Sequence, residues 1–576
     1  MQLSRFLTKH TVALCLLGTI TTLFIPLLTG CDNSSKANSP AKTATTPATT
    51  LPRFTDVASA VGLNYTWIPE GKRPFTSLLT IGNGCAFLDY NNDNNLDILL
   101  VGNRLALYRG DGQGGFTDVS EEVGIASLRG HYLGCAIGDT DNDGFDDIYI
   151  SGYRTALFLK NEGGKKFRDA TKEAGFTPQP WGTSCAFGET VPGSGILDLY
   201  VCNYVVFGPD TKPQLCQEDD LLTSCGPRLY DPEKGVFYKN NGKGKFTDAT
   251  KATGADVHVG KGLGVAFADH DGSGSLAMAL ANDEMPGDLF QPRPDPKSKF
   301  GFRFDSIGEV SGTAYDLDGN MHGGMGIDWG DVDNDGRLDL FVGTFQNEVK
   351  CLYLNEGERR FKDIGVISGI NATSSVYVTF GSKFLDFDND GLLDLVIANG
   401  HVQDNIEKIR RTLTYRQPTL IYHGKGGTPP RFEDVTKQTE VDKTGLIVGR
   451  GVATGDYDND GRIDLLISDA EGKPLLLHNE GGQVGHWLGV KLIGTRSNRN
   501  GYGAHVTLKI GDKTLHRYCH ADGSYMSSSD PRVHFGLGEA TQVDSLTVRW
   551  RSGLVETFPV EGIDRYLTLT EGSPKK

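Results

Sequence analysis

The sequence predicts an all-β chain: a seven-bladed β-propeller followed by a small antiparallel β domain. Three observations predict it. One unit recurs seven times along the chain. Each unit places a loop rich in Asp, or a degraded version of it, between two short apolar runs. Residues 486–572 then leave that unit for strands of alternating polarity. The 75 glycines among 576 residues, with few amphipathic runs of helix length, fit many short strands joined by turns.

The unit opens on Phe-x-Asp. Copies stand at Phe54-Thr55-Asp56, Phe116-Thr117-Asp118, Phe167-Arg168-Asp169, Phe246-Thr247-Asp248, Phe361-Lys362-Asp363 and Phe432-Glu433-Asp434, with a weaker one at Phe302-Arg303-Phe304-Asp305. The acidic loops begin at Asp89, Asp139, Glu189, Asp269, Asp331, Asp386 and Asp456. Successive units start about 50–80 residues apart, the range of four-stranded blades with insertions. No Phe-x-Asp follows the seventh loop before the pattern changes. If Phe-x-Asp is the outer strand of the preceding blade, Phe54–Val57 completes the seventh blade from the far end of the chain. That closure leaves only short, protected edges. The alternative is an open solenoid of the same repeats.

Four segments follow: 1–31, 32–52, 53–485 and 486–572. Arg5 and Lys9 precede a mostly apolar run, Val12 to Leu28, which reads as a signal peptide. Its end, Leu28-Thr29-Gly30-Cys31, resembles the bacterial lipoprotein box. The resemblance implies cleavage before Cys31 and lipid attachment to it, hence an exported, membrane-anchored lipoprotein in the periplasm or at the cell surface. The other reading is an ordinary secretory signal in which Cys31 is incidental. Residues 32–52 have almost no apolar mass and form a tether.

Export implies an oxidising compartment for the remaining cysteines. Cys216 and Cys225 lie in one polar insertion and are the favoured disulfide, with Cys202 as the competing partner. Cys85, Cys135 and Cys185 hold equivalent repeat positions and read as small buried apolar residues. The net charge is −16, much of it in the Asp clusters, which points to cations rather than nucleic acid.

The loop is clearest at Asp139, Asp141, Asp143 and Asp147, with Phe145 offering a backbone carbonyl and Gly144 allowing the turn. Alternate oxygen ligands in a tight loop suit calcium, which takes six to eight at about 2.4 Å. The same set recurs at Asp331, Asp333, Asp335, Arg337 and Asp339, at Asp386, Asp388, Asp390, Leu392 and Asp394, and at Asp456, Asp458, Asp460, Arg462 and Asp464. Asp89, Asn91, Asp93, Asn95 and Asp97 form the first copy, with Asn94 in place of Gly. The fourth keeps Asp269, Asp271 and Ser273 but ends on Ala277, and the third, from Glu189 to Asp198, is one residue too long. The expectation is five good calcium sites, one weak and one empty. Position 12, which an EF-hand fills with Glu, is Ile150, Val342, Ile397 or Ile467, and the flanks are strand-like, so these are not EF-hands.

These residues resemble the FG-GAP/VCBS repeats, whose loops also occur in integrin α-subunit propellers. The fuller match is to proteins related to cartilage acidic protein 1, which end in an ASPIC/UnbV domain. It rests on Gly264-Val-Ala-Phe-Ala-Asp269 with Ala281-Asn282-Asp283, on Met325-Gly-Ile-Asp-Trp-Gly-Asp331, on Asn399-Gly-His401-Val and on the Cys216–Cys225 insertion. Asn498-Arg-Asn-Gly-Tyr-Gly-Ala504, Gly523-Ser-Tyr-Met-Ser527, His534-Phe-Gly-Leu-Gly538 and Trp550-Arg-Ser-Gly553 look like successive ASPIC/UnbV signatures. The resemblance implies recognition or adhesion outside the cytoplasm, and it departs from the family at the third and fourth loops.

Each acidic loop joins two antiparallel strands, so the other strand ends meet on the opposite rim. His131, Trp181, Asn282, Asp283, His322, Asn399 and His401 fall there and are the candidate ligand face. The first function class is a binding, adhesion or scaffold module for a protein or glycan, with structural calcium and a lipid tether to the membrane. The second is a periplasmic lyase or hydrolase acting at that mouth. The chain contains no G-x-S-x-G, H-E-x-x-H or G-x-x-x-x-G-K-[ST], which favours the first. Arg109-Gly110-Asp111 sits where other repeats carry a polar turn and reads as one.

Overall fold

The computed structural model describes residues 51–482 and 484–573. The signal segment, Cys31 and nearly all of the tether lie outside the described residues. Among the described residues no helix is long and apolar enough to cross a membrane.

The repeats fold as four-stranded antiparallel sheets. In the first, the order is Cys85–Leu88, Asp97–Leu100, Ala106–Gly110 and Phe116–Asp118. The Asp-rich loop joins the first two strands, and Phe-x-Asp is the outermost. The same order holds at Gly262–Ala268 to Phe302–Ser306, Ile327–Gly330 to Arg360–Asp363 and Thr379–Leu385 to Arg431–Asp434. The second and third sheets are continuous, because Asp147–Asn161 pairs with Gln179–Gly188 through Tyr153 and Trp181. In the last sheet, Gly449–Gly455, Asp464–Asp469 and Leu475–Glu480 are completed by Arg53–Asp56. There Phe54 faces Asn479, so the two ends of the repeat region share one sheet.

The innermost strands neighbour one another in a closed circuit. It runs from Cys85–Leu88 through Tyr132–Gly138, Gln179–Gly188, Gly262–Ala268, Ile327–Gly330 and Thr379–Leu385 to Gly449–Gly455, which returns to Cys85–Leu88. They are buried almost throughout, which explains their unbroken apolar and Gly-rich sequences. Phe-x-Asp also has a local cause. Its Phe is buried, and its Asp carboxylate accepts from the N–H two residues on, at 2.9 Å for Thr171 on Asp169 and 3.0 Å for Thr250 on Asp248. This turn starts a single helical turn, which ends at Gly175 or Gly254 in the left-handed conformation.

Three insertions lie at the strand ends away from the acidic loops. In one, the hairpin Leu215–Glu218 and Leu221–Ser224 carries the Cys216–Cys225 disulfide, while Cys202 is a buried free thiol. Asn405, from a second insertion, donates to Leu222 O at 2.7 Å. Ser77, in the short helix Ser77–Thr80, donates to Cys225 O at 2.9 Å.

The C-terminal region forms two sheets around a shared core that includes Val490, Val506, Leu508, Phe535 and Val548. Its pairing is antiparallel apart from one parallel pair, His486–Ile493 with Arg565–Thr570. Those strands open and close the region, so the intervening chain is long enough for a crossover. The core is not its own, since Ala136, Phe187 and Tyr238 of the propeller belong to the same cluster.

The segment Gly523–Ser529 of this region runs down the centre of the circuit. Met526 O accepts from Cys135 N at 3.1 Å, Ser528 N donates to Cys85 O at 3.1 Å, and Ile327 N donates to Ser524 O at 3.0 Å. Tyr525 and Met526 are fully enclosed. The Tyr525 hydroxyl donates to Ile81 O at 2.9 Å, and its ring meets Phe380 edge-on at 4.9 Å. Glycines make room for this plug. A Cβ on Gly84 would lie 1.7 Å from Met526 O, and one on Gly451 would lie 2.0 Å from Ser527 Oγ. Truncating a buried aromatic ring costs about 3–5 kcal/mol. We expect Tyr525→Ala to lower the unfolding free energy by that much in denaturant titrations of the full chain. A loss below about 1 kcal/mol, the level of ordinary surface changes, would show that the plug does not hold the ring.

Candidate functional site

The acidic loops share one construction. The first Asp accepts backbone N–H groups from positions 5 and 6, as Asp139 does from Asp143 at 3.1 Å and Gly144 at 2.7 Å. Asp331, Asp386, Asp456 and Asp89 repeat the pattern. The Asp at position 5 accepts from position 7, so Asn95, Phe145, Arg337, Leu392 and Arg462 are each tied by their N–H. The closing Asp is a pin. Asp97, Asp147, Asp339, Asp394 and Asp464 are all but inaccessible, and each accepts a third-strand N–H, as from Asn355 to Asp339 at 2.8 Å.

Oxygens of Asp139, Asp141 and Asp143 converge within 4.8 Å, and so do those of Asp331, Asp333 and Asp339 and of Asp386, Asp388 and Asp394. Asp458 and Asp464 converge equally, with His478 as the third member. Enclosed oxygens of Asp388 and Asp458 have no hydrogen-bond partner. These sets have the composition and spacing to hold a hard cation.

Cationic side chains come from the third strands. Lys160 Nζ lies 2.7 Å from Asp141 and 3.1 Å from Asp143 and Asp147. His423 lies 3.2 Å from Asp388, and His478 lies 3.1 Å from Asp464. Burial opposes charge on His423, but hydrogen bonds to Asp388 and Asp390 outweigh it and push the ring up to about 10. In the third loop, expected to be empty, Lys239 lies 2.6 Å from Asp198. In the fourth, Arg549 reaches Asp269 at 2.8 Å and Arg359 reaches Asp271 at 2.7 Å, so guanidinium groups stand beside the carboxylates of the expected weak site. Ser273 contributes only local turn contacts there.

The C-terminal region covers this face. Lys491 meets Asp89 at 3.3 Å, and Asn500 donates to Asp146 at 2.7 Å. Asn498 N donates to Glu189 at 2.8 Å, and Arg517 lies 3.5 Å from Asp386. Arg532 donates to Asp456 O at 2.7 Å. Nothing in a linear reading showed these contacts.

Two further sets of Asn residues also escaped the sequence reading. The position-4 residues Asn92, Asn142, Asn334, Asn389 and Asn459 adopt left-handed backbone, which Asn tolerates better than most residues. Asn142 donates to Gly195 O at 2.7 Å and Asn389 to Gly461 O at 3.0 Å, each tying its loop to the next. Third-strand Asn161, Asn240, Asn355 and Asn479 reach back to the preceding loop, as from Asn161 to Tyr90 O at 2.8 Å. The usable signal was the recurrent Asn of the Asp-Asn-Asp-Gly and Asn-Glu-Gly runs.

The opposite mouth corrects part of the expected ligand face. Trp181, Asn282, Asn399 and His401 are buried. Asn282 donates to Pro286 O and Asn399 to Pro418 O, both at 2.8 Å, so these side chains close strand connections. Trp181 packs among Tyr153, Tyr204 and Phe207. Burial, with Arg450 beside it, lowers His401 to about 3 and keeps it neutral. Arg450 is itself enclosed, spending its donors on the carbonyls of Thr80, Gly400, Gly449 and His401. His322 is engaged by Asp316 at 2.9 Å. His131 lines a cavity of about 640 Å³ with Arg104 and Arg129, and Asp283 lines a second of about 320 Å³.

Burial raises Asp97 and Asp464 to about 8, and Asp331, Asp386 and Asp456 to about 7. Without metal the folded state therefore binds more protons than the unfolded chain between about pH 4 and 8. Stability is fully present below the unfolded value near 4 and is lost as the pH rises through 7–8. In chelator, the melting temperature is expected to rise as the pH is lowered from about 8 to 5.5. A fall over that interval, read by scanning calorimetry, would show that carboxylate burial does not govern the metal-free protein.

Comparison with known proteins follows the same division. An FG-GAP-like repeat model matches residues 89–150, 331–397 and 386–467, and an ASPIC and UnbV model matches 494–576. Human cartilage acidic protein 1 is 26% identical over 371 residues, 63% of this chain and 49% of that protein. Its Xenopus tropicalis counterpart is 25% identical over 378 residues, 64% of this chain and 51% of that one. The chain thus spans about half the length of the curated relatives it matches. Among solved structures, an Agrocybe aegerita lectin that recognises terminal N-acetylglucosamine superposes with a TM-score of 0.34 at 17% identity, over 61% of this chain and 79% of that one, too low to carry a functional reading. Residues 89–150 and 331–467 are thus similar to FG-GAP-like repeats and residues 494–576 to the ASPIC and UnbV domain, in a chain of which 63% is similar to human cartilage acidic protein 1.

Proposed function

We propose that this chain is an exported binding module, anchored through Cys31, whose propeller is locked by calcium and recognises a protein or glycan. The observation that carries the reading is the set of enclosed carboxylates in the loops beginning at Asp89, Asp139, Asp331, Asp386 and Asp456, with partnerless oxygens on Asp388 and Asp458. Calcium bound there would neutralise carboxylates that otherwise repel one another at short range. The chain's own groups do the rest. Position-1 and closing Asp residues hold the loop backbone, and the Asn relays pass each loop's position to its neighbour. Lys160, His423 and His478 stand beside these carboxylates, and an ion bound there would take over the charge they now neutralise. Export rests on the signal segment and on the similarity to cartilage acidic protein 1, and the lipid anchor rests on the resemblance of Leu28-Thr29-Gly30-Cys31 to the lipoprotein box.

Elemental analysis of the purified chain is expected to find about five calcium ions, and Asp458→Asn to remove one. A ligand held at a hundredfold its dissociation constant stabilises by about 2.7 kcal/mol per site, so chelation should lower the melting temperature by at least about 5 °C at pH 7.5. A chain that carries no calcium and melts identically in EDTA overturns the reading. Glycan-array binding that survives chelation would separate recognition from the calcium lock.

A further inference from the structure

We propose that the mouth cavity lined by Asp283 takes an organic cation, an ammonium or guanidinium group carried on an apolar stem. This deepens the recognition role given to the mouth above and rests on it. The cavity encloses about 320 Å³ beneath the disulfide-bonded hairpin. Its floor is apolar and rigid. Ile81, Leu263, Met325 and Phe380 form it, all buried, and Tyr525 of the central plug fixes it from below through Ile81 O and the Phe380 ring. Such a floor fits an alkyl or aromatic stem, and a few polar groups set its orientation.

The charged groups are mostly acids. Asp283, Glu284 and Glu218 line the walls, and the cavity's one base, Arg410, is already paired with Glu218 at 3.1 Å. Asp283 has a single side-chain donor, the Tyr204 hydroxyl at 2.5 Å. Enclosed oxygens of Glu284 and Gln346 have no hydrogen-bond donor. Arg228 Nε makes an ion pair with that Glu284 oxygen at 3.1 Å without the geometry of a hydrogen bond, and its side chain is 80% exposed, so an enclosed cationic donor has a place to fill. Buried acceptors without donors are costly, and a cationic donor relieves both the missing bond and the like charge. Burial, with Glu284 and Glu348 beside it, also pushes Asp283 up to about 7, a cost that an incoming cation removes.

The neighbouring cavity supplies the contrast. Across the helix Ser77–Thr80, the 640 Å³ cavity presents Arg104, Arg129 and His131 against one acid, Glu70. The mouth is divided by sign, and only the Asp283 side suits a cation.

The probes are agmatine, N-acetyl-arginine methylamide and its uncharged citrulline analogue, titrated calorimetrically into the full calcium-treated chain. Both cationic probes, or one of them, should bind while the citrulline analogue does not. Agmatine alone assigns the ligand to free amines, and the blocked arginine alone assigns it to protein side chains. Glu284→Gln should weaken binding at least about tenfold, the scale of one charge-assisted hydrogen bond, and Gln346→Leu should weaken it less. Arg104→Ala, in the other cavity, should leave it unchanged, and melting curves exclude unfolding of any variant. Equal binding of the citrulline analogue, an unaffected Glu284→Gln variant, or no cationic binding at about 5 mM probe overturns the proposal. Calcium content and chelator sensitivity are read separately, so this inference can fail while the calcium lock stands.

Discussion

Carboxylates buried on one side of a ring are the constraint on which the rest of the molecule depends. An enclosed Asp has to be hydrogen-bonded, paired or protonated, because an isolated buried charge is far too costly to keep. Each loop answers this at three ranges. Backbone N–H groups from the loop itself serve the first Asp, third-strand N–H groups serve the closing Asp, and cations arrive from the third strand or the C-terminal region. Protein cations stand as near to the degraded third and fourth loops as to the intact second one. Lys160, Lys239 and Arg549 sit at the second, third and fourth loops, and at the fifth, where Leu354 holds the third-strand place, the loop's own Arg337 pairs with Asp335.

The C-terminal region follows from the same constraint. Its signature runs all touch the propeller, alongside Lys491, Arg517, Arg532 and Arg549. Asn498 and Asn500 meet the second and third loops, Gly536 N donates to Asp386, and Arg551 donates to Glu189 O. Gly523–Ser527 fills the central passage. A boundary drawn where the sequence changes character therefore cuts through one continuous apolar core. The region acts as a lid on the acidic face and an axle through the ring.

Local pattern made much of this legible. The Phe-x-Asp strands, the loop register and the joining of Phe54 to the last sheet follow from spacing within a unit or from the count of units. What stayed hidden depends on contacts between distant segments. His401 and Asn399 read as rim residues because they end a strand, yet the Gln403 amide and Pro418 carbonyl enclose them. Gly84 and Gly451 read as ordinary strand glycines, and only the plug beside them shows why a side chain is forbidden there. The Asn relays were visible as recurrent letters, but their directions, forward from position 4 and backward from the third strand, show only where neighbouring blades meet.

The shared last sheet bears on how such a molecule is made. Arg53–Asp56 is synthesised early, and its partner Leu475–Glu480 comes near the end of the repeats. Until then the early strand has no edge to join, and an unpaired strand is a template for pairing with the wrong chain. Brevity and charge blunt that hazard, since the strand is four residues long and only Phe54 of it is buried in the finished ring. Biogenesis thus leaves its most vulnerable step, the circularisation, until the last repeat has been made, and assigns it to a joint of four residue pairs.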